Sequence, residues 1–275
     1  MSTNSIEQNA IAQVVKTPTL DGFQDFLLTQ GLSQNTLLQY SYLISLYMRE
    51  PTNQEWTDKF LRNHNNIPAR AALRQYLRYI KRHKDIDIIP RRGRRPTRIR
   101  TFLTREEVNT LAEYFASRGS FKYSLLCLFL FETGLRISTS LNLLPSNIDF
   151  VNLKVRGVDK GRKEYEQCIT QELADALMVY LETKDEGERI FGGNRKAVWK
   201  FLRHHGFKFF GKRIKPHTFR HSIAEYLRKS GMVAEERAVY LNHDLTKLGV
   251  TIGIYSPPDR ETVHANWRKI MQTFK

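Results

Sequence analysis

The stretch Pro90-Arg91-Arg92-Gly93-Arg94-Arg95-Pro96-Thr97-Arg98-Ile99-Arg100 constrains the fold more than any other part of this chain. Six arginines, two prolines and a glycine leave almost nothing to bury, and proline lacks the amide hydrogen that a helix interior or central strand needs. The segment reads as a linker dividing the 275 residues into two domains. The implied boundaries are a flexible N-terminus over residues 1–17, a helical domain over 18–89, the linker over 90–100 and a second domain over 101–275.

On the N-terminal side, apolar residues recur at helical spacing in four groups. These are Phe23, Phe26 and Leu27 before Gly31; Leu37, Tyr40, Leu43, Ile44 and Tyr47; Trp56, Phe60 and Leu61; and Ala72, Leu73, Tyr76, Leu77 and Ile80. Four short helices make a small bundle. The last one carries Arg74, Arg78, Lys81 and Arg82 on its other face, which suits a phosphate backbone or plain solvation.

Beyond the linker, Thr104-Arg105-Glu106-Glu107 has the form of a capping box. Helices are expected over Leu111 to Phe115, Leu125 to Glu132 and Arg136 to Leu143, with Gly134 ending the middle one. Leu153 to Val158 and Glu164 to Ile169 read as strands around a turn at Asp159-Lys160-Gly161-Arg162-Lys163. Helix resumes after Thr170, with breaks near Gly192-Gly193, Gly206 to Gly211 and Gly231. The fold class is mainly α with a small antiparallel sheet.

Lys+Arg number 44 against 28 Asp+Glu, a formal charge of +16 spread along the chain. Such an excess calls for a polyanionic partner, nucleic acid first. Arg91, Arg92, Arg94, Arg95, Arg98 and Arg100 can lie along DNA, so that two strapped domains close around a duplex. The first residues lack the apolar core of a signal peptide. The longest apolar run, near Tyr123 to Phe131, is far below the roughly 20 residues that span a bilayer. No membrane partner and a cytoplasmic location are expected. Cys127 and Cys168, isolated in apolar settings, read as core residues.

Four short motifs carry the chemistry. Arg136 in Thr133-Gly134-Leu135-Arg136 follows a helix-ending glycine, at a helix N-terminus suited to a phosphate. His217 and Arg220 in Pro216-His217-Thr218-Phe219-Arg220-His221 lie three apart on one helical face, within reach of one oxyanion. His243 stands in Leu241-Asn242-His243-Asp244, and Tyr255 in Gly253-Ile254-Tyr255-Ser256, 12 residues later. Each motif alone also suits a surface arginine, a helix cap or a core tyrosine. All four in this order resemble the tyrosine recombinases of the lambda-integrase and Xer family.

The resemblance implies an N-terminal core-binding bundle of the SAM-like type and a C-terminal catalytic domain. It makes Arg136 and Arg220 the clamp on the scissile phosphate, His217 and His243 its hydrogen-bonding partners and Tyr255 the covalent nucleophile. Lys160, before the turn glycine, matches the family's lysine between strands and would protonate the leaving oxygen; Lys163 is the alternative. Asn242 stands where the family has glycine and tolerates the left-handed turn. Thr139 stands where an acid is common, so altered support of Arg136 is expected. The resemblance further implies double-stranded DNA and a tetramer on two sites, joined through the C-terminal segment. Val263, Trp267, Ile270, Met271 and Phe274 form an apolar face there, which alternatively packs on its own domain.

No glycine-rich phosphate loop or magnesium-type carboxylate cluster appears, so no metal and no cofactor is expected. Two rivals share the fold: a non-cleaving DNA-binding accessory factor and a type IB topoisomerase-like nicking-closing enzyme. No extra N-terminal arm-binding domain is evident, which leans toward a simple Xer-like system over a plasmid or viral integrase.

Overall fold

The computed structural model describes residues 18–50, 53–64, 66–86, 89, 100–159, 163–243 and 258–273. The chain divides into two compact units, residues 1–97 and 98–275, and the division falls within the arginine-rich stretch.

Unit one holds α1 (Leu20–Thr29), α2 (Gln34–Tyr47), α3 (Gln54–Asn63) and α4 (Ile67–Tyr79). Each begins at a residue whose side chain accepts from the amide three positions on: Thr19, Ser33, Asn53 and Asn66. Such caps are worth about 1 kcal/mol each. The core is aromatic. Tyr47 meets Phe60 edge-on at 5.1 Å and Tyr76 at 5.9 Å, and its hydroxyl shares a 2.6 Å hydrogen bond with Thr57. Of the basic residues on α4, Arg78 is exposed, whereas Arg74 is half-buried and donates to the Ile89 carbonyl at 3.4 Å.

Unit two opens with α5 (Arg105–Ser117), and the Thr104–Glu107 capping box is present in both directions. Next come α6 (Phe121–Thr133) and the short α7 (Ile137–Ser140). An antiparallel sheet follows, β1 (Ile148–Asp149), β2 (Lys154–Asp159) and β3 (Lys163–Cys168), in that spatial order. The rest is helical: α8 (Gln171–Leu181), α9 (Arg195–Phe210), α10 (Pro216–Lys229), α11 (Ala234–Tyr240) and α12 (Arg260–Gln272). The apolar run of the sequence is α6, buried on nearly every side between α5, α8 and α10. That is how an all-round hydrophobic helix is used in a soluble core. Both cysteines are buried thiols, and burial pushes Cys168 up to about 11. Among the described residues no helix is long and apolar enough to cross a membrane.

Three local expectations are corrected. The helix expected over Arg136 to Leu143 is only Ile137–Ser140. The break expected over Gly206 to Gly211 comes at its far end: α9 runs through Gly206 and stops at Gly211, whose φ is +62°. Gly206 is needed for close approach, since a Cβ there would lie 2.4 Å from Ile214. The first long strand starts at Lys154 rather than Leu153, because Leu153 (φ +54°) is spent on the tight turn from β1.

The apolar face of the C-terminal segment is covered within the chain. Val263, Trp267 and Met271 are buried in the core of unit two, and Trp267 stacks on Tyr240 at 6.0 Å. Phe274 lies outside the described residues. An ion-pair clasp also holds α12 to the sheet: the Lys154 ammonium lies 2.6 Å from Glu261 and 3.2 Å from Glu166, beside buried His264. Glu166, Glu261 and His264 bring ligand-type atoms within 4.8 Å of one another. Lys154 lies among them and Arg156 pairs with Glu166 from β2, so two cations meet the two carboxylates of this clasp.

Candidate active site

Arg220 is the hinge of the site. It lies on α10 and is 4% exposed. One guanidinium nitrogen donates to the Gly134 carbonyl at 2.7 Å and the other to the Leu241 carbonyl. Gly134 ends α6 and directly precedes Leu135-Arg136; Leu241 ends α11 and directly precedes Asn242-His243. One buried side chain thus staples the two turns that present Arg136 and His243.

Both turns require a left-handed residue, Gly134 at φ +59° and Asn242 at φ +51°. A Cβ on Gly134 would meet Leu241 at 2.7 Å and Ile223 at 3.1 Å, so only glycine lets α6, α10 and α11 meet this closely. Asn242 adopts its φ with its amide donating to the Glu164 carbonyl of β3 at 3.1 Å. The Tyr240 hydroxyl donates to the Glu132 carbonyl, so Tyr240 is a core anchor of this junction.

The cationic groups lie close enough to perturb one another. Burial, then the charge of Arg136, lowers Arg220 to about 10, still protonated at neutral pH. Partial loss of hydration, then the charges of Arg220 and Arg136, lowers His243 to about 4, although the residue as a whole stays exposed. His217 is lowered by partial burial, then by His221, Arg220, Arg136 and Arg100. The His217 and His221 rings meet edge-on at 4.5 Å. Two arginines and neutral imidazoles near one another concentrate positive charge, and a bound anion would relieve their mutual repulsion.

One buried carboxylate faces this cluster. Asp159, the last residue of β2, pairs with Arg136 and accepts from the Thr139 hydroxyl at 2.6 Å. Sequence reading missed it; the available cue was an acid at a strand end just before the turn lysine. Also missed was the basic, aromatic face of α9 and the loop after it, where Trp199, Lys200, Arg203, His204, Phe207 and Arg213 line an open cleft of about 490 Å³. Arg203 lies over the Trp199 ring at 5.2 Å.

Arg136, His217, Arg220 and His243 are therefore brought together, with Arg100 near the two histidines of α10. Lys163 opens β3, exposed and in register with Asp159. Lys160 and Tyr255 lie outside the described residues, as do Arg91, Arg92, Arg94, Arg95 and Arg98. Arg74 and Arg78 belong to unit one.

The lowered imidazoles set the acid response. A histidine whose folded pKa falls below its usual value near 6.5 leaves the unfolded chain binding more protons in between, so stability falls as pH drops through that interval. For His243 the window runs from about 6.5 down to about 4. Glu132, raised to about 7 by burial, acts oppositely over much of the same range. The informative quantity is therefore a difference. We expect the His243→Gln protein to lose less melting temperature than the parent between pH 6.5 and 4. Parallel curves would place His243 in an ordinary solvated setting.

Residues 101–257 match the model of the phage integrase family. Tyrosine recombinase XerA of Thermococcus kodakarensis is 30% identical over 241 residues, covering 78% of this chain and 82% of that protein. Among solved structures, the Tn1549 transposon integrase in complex with circular intermediate DNA superposes with a TM-score of 0.61 at 14% identity, covering 91% of this chain and 99% of that one. A lambda integrase tetramer bound to a Holliday junction gives 0.60 at 17% identity, with 86% and 79% covered. At these identities the structural likeness concerns the fold.

Proposed function

Because this chain belongs to the phage integrase family and is a tyrosine-type site-specific recombinase, we propose that it cuts and rejoins DNA through a 3′-phosphotyrosyl link to Tyr255. The observation that supports this best is the Arg220 staple, which gathers Arg136, His217 and His243 around one anion site. In this reading the Tyr255 phenol oxygen attacks the scissile phosphorus, and the bond from phosphorus to the 5′ oxygen breaks. A neutral His217 takes or shares the phenol proton. Lys160, or Lys163 in its stead, protonates the leaving 5′ oxygen. Arg136 and Arg220 neutralise the non-bridging oxygens as their charge grows. A partner strand's 5′-hydroxyl then reverses the step, and the energy held in the ester makes a nucleotide cofactor unnecessary.

The double-stranded DNA partner is contacted, in this reading, by Arg74, Arg78, Arg100, the linker arginines and the basic face of α9. Four protomers act on two DNA sites, as a lambda integrase does as a tetramer on a Holliday junction. The seat that α12 fills in its own chain also fits the same helix of a neighbour, joining protomers through the C-terminal segment. Integration, excision and dimer resolution are all built from this strand exchange.

Suicide substrates of random sequence test the proposal. Incubated with the protein in excess EDTA, they should yield covalently trapped DNA whose sequences converge on one site. Trapped DNA without sequence convergence would favour a nicking-closing enzyme. An absence of trapped DNA despite tight binding would favour a non-cleaving accessory factor.

A further inference from the structure

We propose that Asp159 is the positioning carboxylate of this site, reaching Arg136 from the end of β2 and standing in for the acid that Thr139 replaces. The inference rests on the reading of Arg136 as a phosphate clamp. Thr139 follows Arg136 by three residues on α7, so it faces the same side of the helix. A threonine is neutral and cannot hold a guanidinium by charge. It instead donates its hydroxyl to Asp159 Oδ1 at 2.6 Å, while Oδ2 pairs with Nη1 of Arg136. Both carboxylate oxygens are thereby fixed, and the side chain is only 4% exposed. A buried carboxylate in this setting needs such partners, and these two aim it at the arginine. Its charge also favours the protonated form of Arg220.

Asp159 pairs with Lys163 across the hairpin and is joined by one peptide bond to Lys160. An acid at position 139 would tie Arg136 to its own helix alone. Asp159 ties it to the end of β2, which is in register with Lys163 at the start of β3.

The test compares Asp159→Asn, the double variant Thr139→Glu/Asp159→Asn, and Arg136→Ala as a control. Single-turnover cleavage, DNA affinity and melting temperature are measured for each. Misplacement of a positioning group by an ångström is worth on the order of 100-fold in rate, so Asp159→Asn should lose about that much, with affinity nearly unchanged. Returning the acid to position 139 should recover most of the loss, which a purely structural role of Asp159 does not predict. Parental cleavage by Asp159→Asn overturns the proposal, and so does a folded double variant no faster than the single one. Loss of fold in both variants assigns Asp159 to stability and likewise overturns it. If Asp159→Asn alone fails to fold, a folded and active double variant supports the proposal. Parental cleavage by Arg136→Ala would instead remove the clamp reading on which it rests.

Discussion

Arg136→Lys and Arg220→Lys should each cleave target DNA on the order of 100- to 1,000-fold more slowly than the parent while binding it within a few-fold. An arginine presents two parallel donors to a phosphate, which a lysine cannot do. The charge on the non-bridging oxygens grows toward the transition state, so the lost contact is felt mainly in the rate. The two arginines differ in what else they do. Arg136 is about a third exposed and pairs with the buried Asp159 carboxylate, so its truncation leaves that carboxylate with the Thr139 hydroxyl but no guanidinium. Arg220 is buried and satisfies the carbonyls of Gly134 and Leu241. Arg220→Ala leaves two buried acceptors without their donor, each costing about 1 to 3 kcal/mol. It should therefore lower the melting temperature. The double lysine variant should lose less than the sum of the single losses, because residues acting as a unit are not additive. Unchanged single-turnover cleavage in both single variants would remove the clamp, and loss of binding without loss of rate would favour the non-cleaving reading.

Much of this was legible in the chain because the signals are local. The capping box at Thr104 and Glu107 and the turn at Gly134 depend on neighbours within a few residues. The order of Arg136, His217, Arg220, His243 and Tyr255 carried the family. The illegible parts depend on distant partners. Nothing near Asp159 in sequence shows that it meets Arg136 and Thr139, 23 and 20 positions earlier. Gly206 resembles a breaker until Ile214 is seen packed against it. The apolar stripe of α12 reads equally well as an exchange surface or as core, and only the seat formed by Tyr240 and its neighbours shows that the chain can fill it by itself. Arg220 resembled a reactive group only, because the carbonyls it joins lie 86 and 21 residues away.

The central claim is that Tyr255 becomes joined to DNA, and mapping the covalent adduct tests it most directly. A phenol with a pKa near 10 is a weak nucleophile unless cations favour its phenolate character, and in the proposed reading Arg136 and Arg220 supply them. A nicked suicide substrate lets the cut end diffuse away, so the covalent complex accumulates and can be digested and sequenced by mass spectrometry. The account predicts a single nucleotide-bearing peptide, modified at Tyr255, and complete loss of the adduct in Tyr255→Phe with DNA affinity unchanged. An adduct at another residue, or one that persists in Tyr255→Phe, would contradict it.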